Sequence, residues 1–104
     1  MKVHRDVITS PEAFQETKQA YHWYEAQELG LGLRFLAAFD RAVESVVIQP
    51  DIYSRRFGNV RAIKVKKFPY LVYYEHNDRF IFLHSVFHES QHPSRLNRLR
   101  NPDL

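Results

Sequence analysis

The sequence predicts an α+β domain in the order β-α-α-β-β-β, with an antiparallel sheet packed on an α-helical hairpin. Three observations predict it. Apolar residues recur at helical spacing in two stretches of the first half, separated only by Leu29-Gly30-Leu31-Gly32. The second half changes to a strand-like alternation from Val60 onward. One stretch there, Tyr70 to Glu75, is apolar or aromatic on both faces, which marks the middle of a sheet.

Residues 2–8, KVHRDVI, alternate imperfectly and read as a short strand. Thr9-Ser10-Pro11-Glu12 then starts a helix: hydroxyl caps, a proline in the first turn, and a carboxylate near the positive helix end. Ala13, Thr17, Ala20 and Tyr24 form one stripe of that helix, with Phe14 and Tyr21 beside it. The glycines at 30 and 32 close it, since glycine accepts the left-handed cap. Leu36, Phe39, Val43, Val46 and Val47 make the apolar stripe of a second helix, with Arg34, Arg41 and Glu44 off it, and Pro50 ends it. Two helices of roughly five turns with so short a link must be antiparallel. Trp23 is expected to pack within this hairpin.

Val60 to Lys66 reads as a strand with Ile63 and Val65 on one face and Lys64 and Lys66 on the other. Phe68-Pro69 interrupts, Tyr70 to Glu75 follows, and Arg79 to His88 is the last strand. Asn77-Asp78 is the expected two-residue hairpin loop, because both residues tolerate positive φ. That register sets Tyr74 opposite Ile81, Tyr73 opposite Phe82 and Leu71 opposite His84. Pro93 opens a short final helix over Ser94 to Arg100.

At 104 residues, 44% hydrophobic and 26% charged, the chain fits one globular domain over residues 1–104 rather than a low-complexity polymer. It has no cysteine, which excludes disulfides, thiolate metal sites and thiol nucleophiles. Its longest apolar run, Phe68 to Tyr74, is too short to span a bilayer, so no membrane association is expected. The opening MKVHRDVITS lacks an apolar core of the signal-peptide kind, and the expected address is cytoplasmic.

Charge is segregated along the chain. Residues 1–51 carry five basic and eight acidic side chains; residues 52–104 carry ten basic and four acidic. Ten of the fifteen cations are arginine, whose planar fork suits phosphate and carboxylate. A basic second half implies an anionic partner, either nucleic acid or an acidic protein segment. Arg55 and Arg56 in a turn, then Arg61, Lys64 and Lys66 on a strand edge, are the expected contacts. Tyr70, Tyr73 and Phe87 beside them would stack a base while the cations hold phosphate; the alternative, favoured for Tyr73, Tyr74 and Phe82, is that the aromatics are core and the cations keep the sheet soluble.

His76, His84, His88 and His92 would align as metal ligands only on a helix. On a strand, His84 and His88 lie about 13 Å apart, so neither a metal nor another cofactor is expected. His84 is expected to be a partly buried, satisfied histidine. His88, at a strand end, is the candidate acid or base, with Arg61 as the cation beside it. There is no glycine-rich phosphate loop, no catalytic carboxylate pair and no nucleophilic serine motif.

Trp23-Tyr24-Glu25, Gly30-Leu31-Gly32-Leu33-Arg34-Phe35-Leu36, Pro50-Asp51-Ile52-Tyr53, Val60-Arg61, Phe68-Pro69-Tyr70-Leu71-Val72-Tyr73-Tyr74 and Val86-Phe87-His88 follow in order. Together they resemble the RelE/ParE toxin superfamily, most closely its ParE-like, plasmid-stabilisation branch, over about residues 10 to 93. The resemblance implies a bacterial toxin of a type II toxin–antitoxin pair, neutralised by a small, often acidic antitoxin whose C-terminal segment wraps it. ParE-like members poison DNA gyrase. RelE-like members cut messenger RNA in the ribosomal A site, without a metal. Arg61, Lys64, Lys66 and His88 would supply the cations and the acid or base for such cleavage. RelE-like nucleases usually carry an arginine where this chain has Tyr70, which weighs toward gyrase. The remaining alternative is a non-toxic protein-binding module that keeps the fold. An exposed edge strand would also accept an added strand, from an antitoxin or from a second copy in a homo-oligomer.

Overall fold

In a computed structural model, residues 4–100 are described. Strand β1 (Asp6–Thr9) leads through Ser10 into helix α1 (Pro11–Gln27). Residues 2 and 3 of the expected first strand lie outside the described residues. Ser10 caps α1 as its sequence implies: its hydroxyl oxygen accepts the Ala13 N–H at 2.9 Å. The same hydroxyl donates to the His84 carbonyl at 2.8 Å, so the cap also ties the helix start to the last strand.

Helix α2 (Leu31–Ile48) begins earlier than the glycine pair suggested. Gly30 is its N-cap, at φ 89°, and Gly32 lies inside its first turn. Gly30 has no side chain to cap with, and Glu25 of α1 takes over: its carboxylate accepts the N–H of Gly30 and of Gly32, each at 2.9 Å. Four orphan donors at a helix start need acceptors, and a carboxylate also suits the positive helix end. The buried stripe of α2 is Phe35, Ala38, Ala42 and Val46. Leu36, Phe39, Val43 and Val47 pack at its border, so the core-facing line sits about one residue from the expected one.

Five strands form one mixed sheet in the order β1-β5-β4-β3-β2, with β2 (Arg55–Phe57), β3 (Val60–Lys64), β4 (Tyr70–His76) and β5 (Phe80–His88). The α+β class holds. β4 is central, as its two apolar faces required. Two features correct the antiparallel β-α-α-β-β-β expectation. Arg55 and Arg56 lie in an extra edge strand rather than a turn, and β1 pairs with β5 in parallel.

The β4–β5 register also differs. Asn77 is not a loop residue: its N–H donates to the Phe80 carbonyl, and its side-chain oxygen accepts the N–H of Arg79 and Phe80. The side chain thereby closes the turn, the loop becomes Asp78-Arg79, and Tyr74 pairs with Leu83 rather than Ile81. A bulge follows, since Tyr73 pairs with Ser85 and His84 is left as the extra residue. Leu71 accordingly faces Phe87, not His84.

One face of the sheet gives Val72, Tyr74, Ile81, Leu83 and Val86 to the core under the helices. The other face gives Val60, Ala62, Tyr73 and Phe87 to a second cluster, closed by Leu96 and Leu99. These two leucines come from a short 3-10 helix (Pro93–Leu96) and the turn of helix α3 (Asn97–Arg100). The second face is thus covered along part of its length, where an open working surface was expected. Among the described residues no helix is long and apolar enough to cross a membrane.

Candidate functional site

A cleft of about 620 Å³ lies between α1, the start of β4 and the end of β5. That volume suits a small ligand or an anchoring side chain. Helix α1 contributes Glu16 and Trp23, β4 contributes Tyr70, β5 contributes His88, and the 3-10 helix contributes Arg95. Tyr70 and His88 are cross-strand partners, with ring centroids 5.5 Å apart. Tyr70 also packs edge-on against Tyr24 and Phe35. Burial raises its phenol pKa, so the hydroxyl stays protonated.

His88 Nδ1 accepts the Ser90 N–H at 3.0 Å, which leaves the proton of a neutral ring on Nε2. Glu16 is fully engaged: one oxygen accepts the Val86 N–H at 3.0 Å, and the other pairs with Arg95 at 2.8 Å. Arg95 in turn lies over the Phe87 ring, 5.2 Å from its centroid. The cleft therefore offers donors and aromatic faces, while its one carboxylate is already occupied. This chemistry favours binding over proton abstraction.

The expected site residues separate. Tyr70 and His88 meet in this cleft. Arg61 does not join them: it sits opposite Tyr74, four residues along β4 from Tyr70, or about 13 Å. Its guanidinium donates to the carbonyls of Asp51 and Tyr53, at 3.0 and 2.7 Å. Tyr74 donates to the Pro50 carbonyl at 2.7 Å, and His76 pairs with Asp51 at 3.0 Å. These three strand residues hold the segment after α2 against the sheet. The backbone carbonyls of a non-regular segment need partners, and Arg61 supplies them.

Lys64 and Lys66 flank the buried Val65 and are exposed, whereas Arg61 shares the side of Ile63. The expected gathering of Arg61 with Lys64 and Lys66 on one face is therefore corrected by the two-residue repeat of the strand. Arg55 lies opposite Arg61 and Arg56 is exposed. Tyr73 and Phe87 are withdrawn beneath Leu96, so they offer no stacking surface beside these cations.

Each histidine has a separate partner. His84 pairs with Glu75 at 2.7 Å, partly buried as expected, and His92 accepts the Ser94 N–H at 3.0 Å. Sequence reasoning missed Glu16 and Arg95, which lie 79 residues apart and carry no local motif. It also misplaced Trp23, which is 58% exposed at the cleft mouth. Its flanking position beside the buried stripe of α1 was the available signal.

Comparison with known proteins adds the following. The family model for the ParE toxin of the type II toxin–antitoxin system, parDE, matches residues 7–93. Among solved structures, the fold matches the chromosomal ParDE TA system from P. aeruginosa with a TM-score of 0.70. The identity is 10%, over 81% of this chain and 95% of that one, a likeness of fold. No curated protein matches the sequence.

Proposed function

Because this chain belongs to the ParE toxin family of type II toxin–antitoxin systems, we propose that it is neutralised by a small cognate antitoxin and acts on DNA gyrase. The family match over residues 7–93 carries the reading. The site chemistry supports gyrase over messenger RNA. Metal-independent cleavage needs a base, an acid and a phosphate-holding cation within reach of one phosphodiester. Here Arg61 is committed to two backbone carbonyls and His88 lies near the other end of the β4 segment. Glu16 is engaged on both oxygens, and Tyr70 is held neutral by burial.

In this reading, Tyr70 and His88 contribute to target contact in the cleft, and Arg61 positions the loop after α2. The test is induction of the chain in bacteria, with and without the neighbouring small reading frame, combined with primer extension on cellular transcripts. Growth arrest relieved by the neighbour, with uncut transcripts, is the expected result. Ribosome-dependent cuts at codon boundaries would replace gyrase with the ribosome. Unimpaired growth at full expression would leave a binding module that keeps the fold.

A further inference from the structure

From Ile52 to Tyr74 the chain contains six basic residues and no acidic one. Arg61 is spent on the loop carbonyls and Asp51. The other five, Arg55, Arg56, Lys64, Lys66 and Lys67, are exposed, and among the described residues none forms an ion pair. The acids that flank this stretch in the sequence are committed: Asp51 to His76 and Arg61, and Glu75 to His84. The fold concentrates these cations on the β2–β3 edge and the turn into β4, at the sheet margin farthest from β1. A single-sign margin is electrostatically costly to itself and attracts an extended anion.

We propose that the β2–β3 edge binds the phosphate backbone of duplex DNA, through Arg55, Arg56, Lys64 and Lys66. This goes beyond the gyrase reading and does not depend on it. Three observations select the occupant. An acidic peptide adding to the sheet would need a main-chain edge, and β2 offers three residues with a register shift between Arg55 and Phe57. A single strand would need exposed rings to stack its bases, whereas Tyr73 and Tyr74 are buried and Tyr53, Phe57 and Phe68 pack against the two cores. What the edge does present is positive charge: Arg55 and Arg56 are adjacent on β2, Lys64 ends β3 and Lys66 follows in the turn into β4, so arginine forks and lysines share one margin. A duplex backbone asks for that alone, and the contact is sequence-independent.

The test is fluorescence anisotropy of a short labelled duplex with the full chain, titrated with salt. The slope of log affinity against log salt should be about −3 to −4, for about four phosphates contacted. Replacing Arg55, Arg56, Lys64 and Lys66 together by Gln should lower affinity at low salt at least about tenfold and flatten the slope by roughly 3. These side chains are exposed and unpaired, and an unchanged thermal melt confirms that the variant folds. Lys18→Gln with Arg41→Gln, on the exposed helix surfaces, should change neither quantity. Equal affinity of the parent and the quadruple variant overturns the proposal. So does tighter binding of the single strand, or of an oligo-glutamate of equal charge, which would make the occupant an acidic peptide.

Discussion

Glu25 and Gly32 are fitted to one another across the helix hairpin: the Gly32 N–H donates to Glu25 Oε1 at 2.9 Å, and a Cβ on residue 32 would lie 2.9 Å from that same oxygen. The Tyr21 carbonyl oxygen would be closer still, at 2.7 Å. The absence of a side chain is what lets α1 and α2 approach, and the approach is what lets Glu25 cap α2. Gly32→Ala should therefore cost about 1–3 kcal/mol, because backbone rather than a flexible side chain must yield. Glu25→Gln, which keeps the shape but removes one acceptor and the charge, should cost about 1 kcal/mol or somewhat more. Urea unfolding measures both. Equal stability of Gly32→Ala and the parent would refute the close approach.

That pair also shows how far the sequence could be read. The hairpin, its capping Ser10, the core residues Ala13, Ala20 and Tyr24, and the central place of β4 follow from local periodicity and cap chemistry. Periodicity is a property of neighbours in the chain, and those features need nothing more. The role of Gly32 does not follow, because a glycine in a link and a glycine under a crossing helix look alike in one dimension. The β4–β5 register was lost for a similar reason: the Asn77 side chain closes the turn, and the bulge at His84 has no compositional mark. The candidate site was half legible. Tyr70 and His88 meet, but the Glu16–Arg95 pair spans 79 residues, and the duty of Arg61 toward Asp51 and Tyr53 depends on where the loop after α2 lands.

Arg61→Lys should loosen that loop without unfolding the sheet. One guanidinium nitrogen donates to both carbonyls while the other lies 3.8 Å from the Asp51 carboxylate, and a compact lysine ammonium cannot occupy both places. The expected loss is about 1–2 kcal/mol, with faster amide exchange in residues 50–54. Unchanged exchange there would contradict the structural role given to Arg61.

Tyr74 predicts an alkaline limit to stability. Burial pushes its phenol pKa up to about 12, against the lowering effect of Arg61, and its hydroxyl donates to the Pro50 carbonyl. The unfolded phenol titrates near 10. Below pH 10 both states keep the proton and stability is complete. Between pH 10 and about 12 only the unfolded chain ionises, so stability falls with rising pH, by about 2–3 kcal/mol in all. Tyr74→Phe should be weaker at pH 8 by about 1–2 kcal/mol, from the unpaired Pro50 carbonyl, and should show a shallower alkaline decline. Parallel pH profiles for the two proteins would exclude this origin.

Leu96, 2% exposed, is the residue that seats the C-terminal segment on the second face of the sheet. Leu96→Ala removes about 2–5 kcal/mol of burial and cavity energy at that contact. The segment makes few other apolar contacts, so the expected response is local: lost amide protection over 93–100 with α2 and β4 unchanged. Uniform loss across the whole chain would show that the segment is part of the global folding unit instead.

We propose that this toxin disables DNA gyrase and carries out no cleavage of RNA. The most direct measurement incubates the purified chain with gyrase, ATP and supercoiled plasmid, then traps and separates the DNA. Linear plasmid appearing in proportion to the chain added, and retained with Arg61→Lys but reduced with Tyr70→Ala and His88→Ala, is the predicted result. No trapped linear DNA, at concentrations that arrest growth in cells, would contradict it.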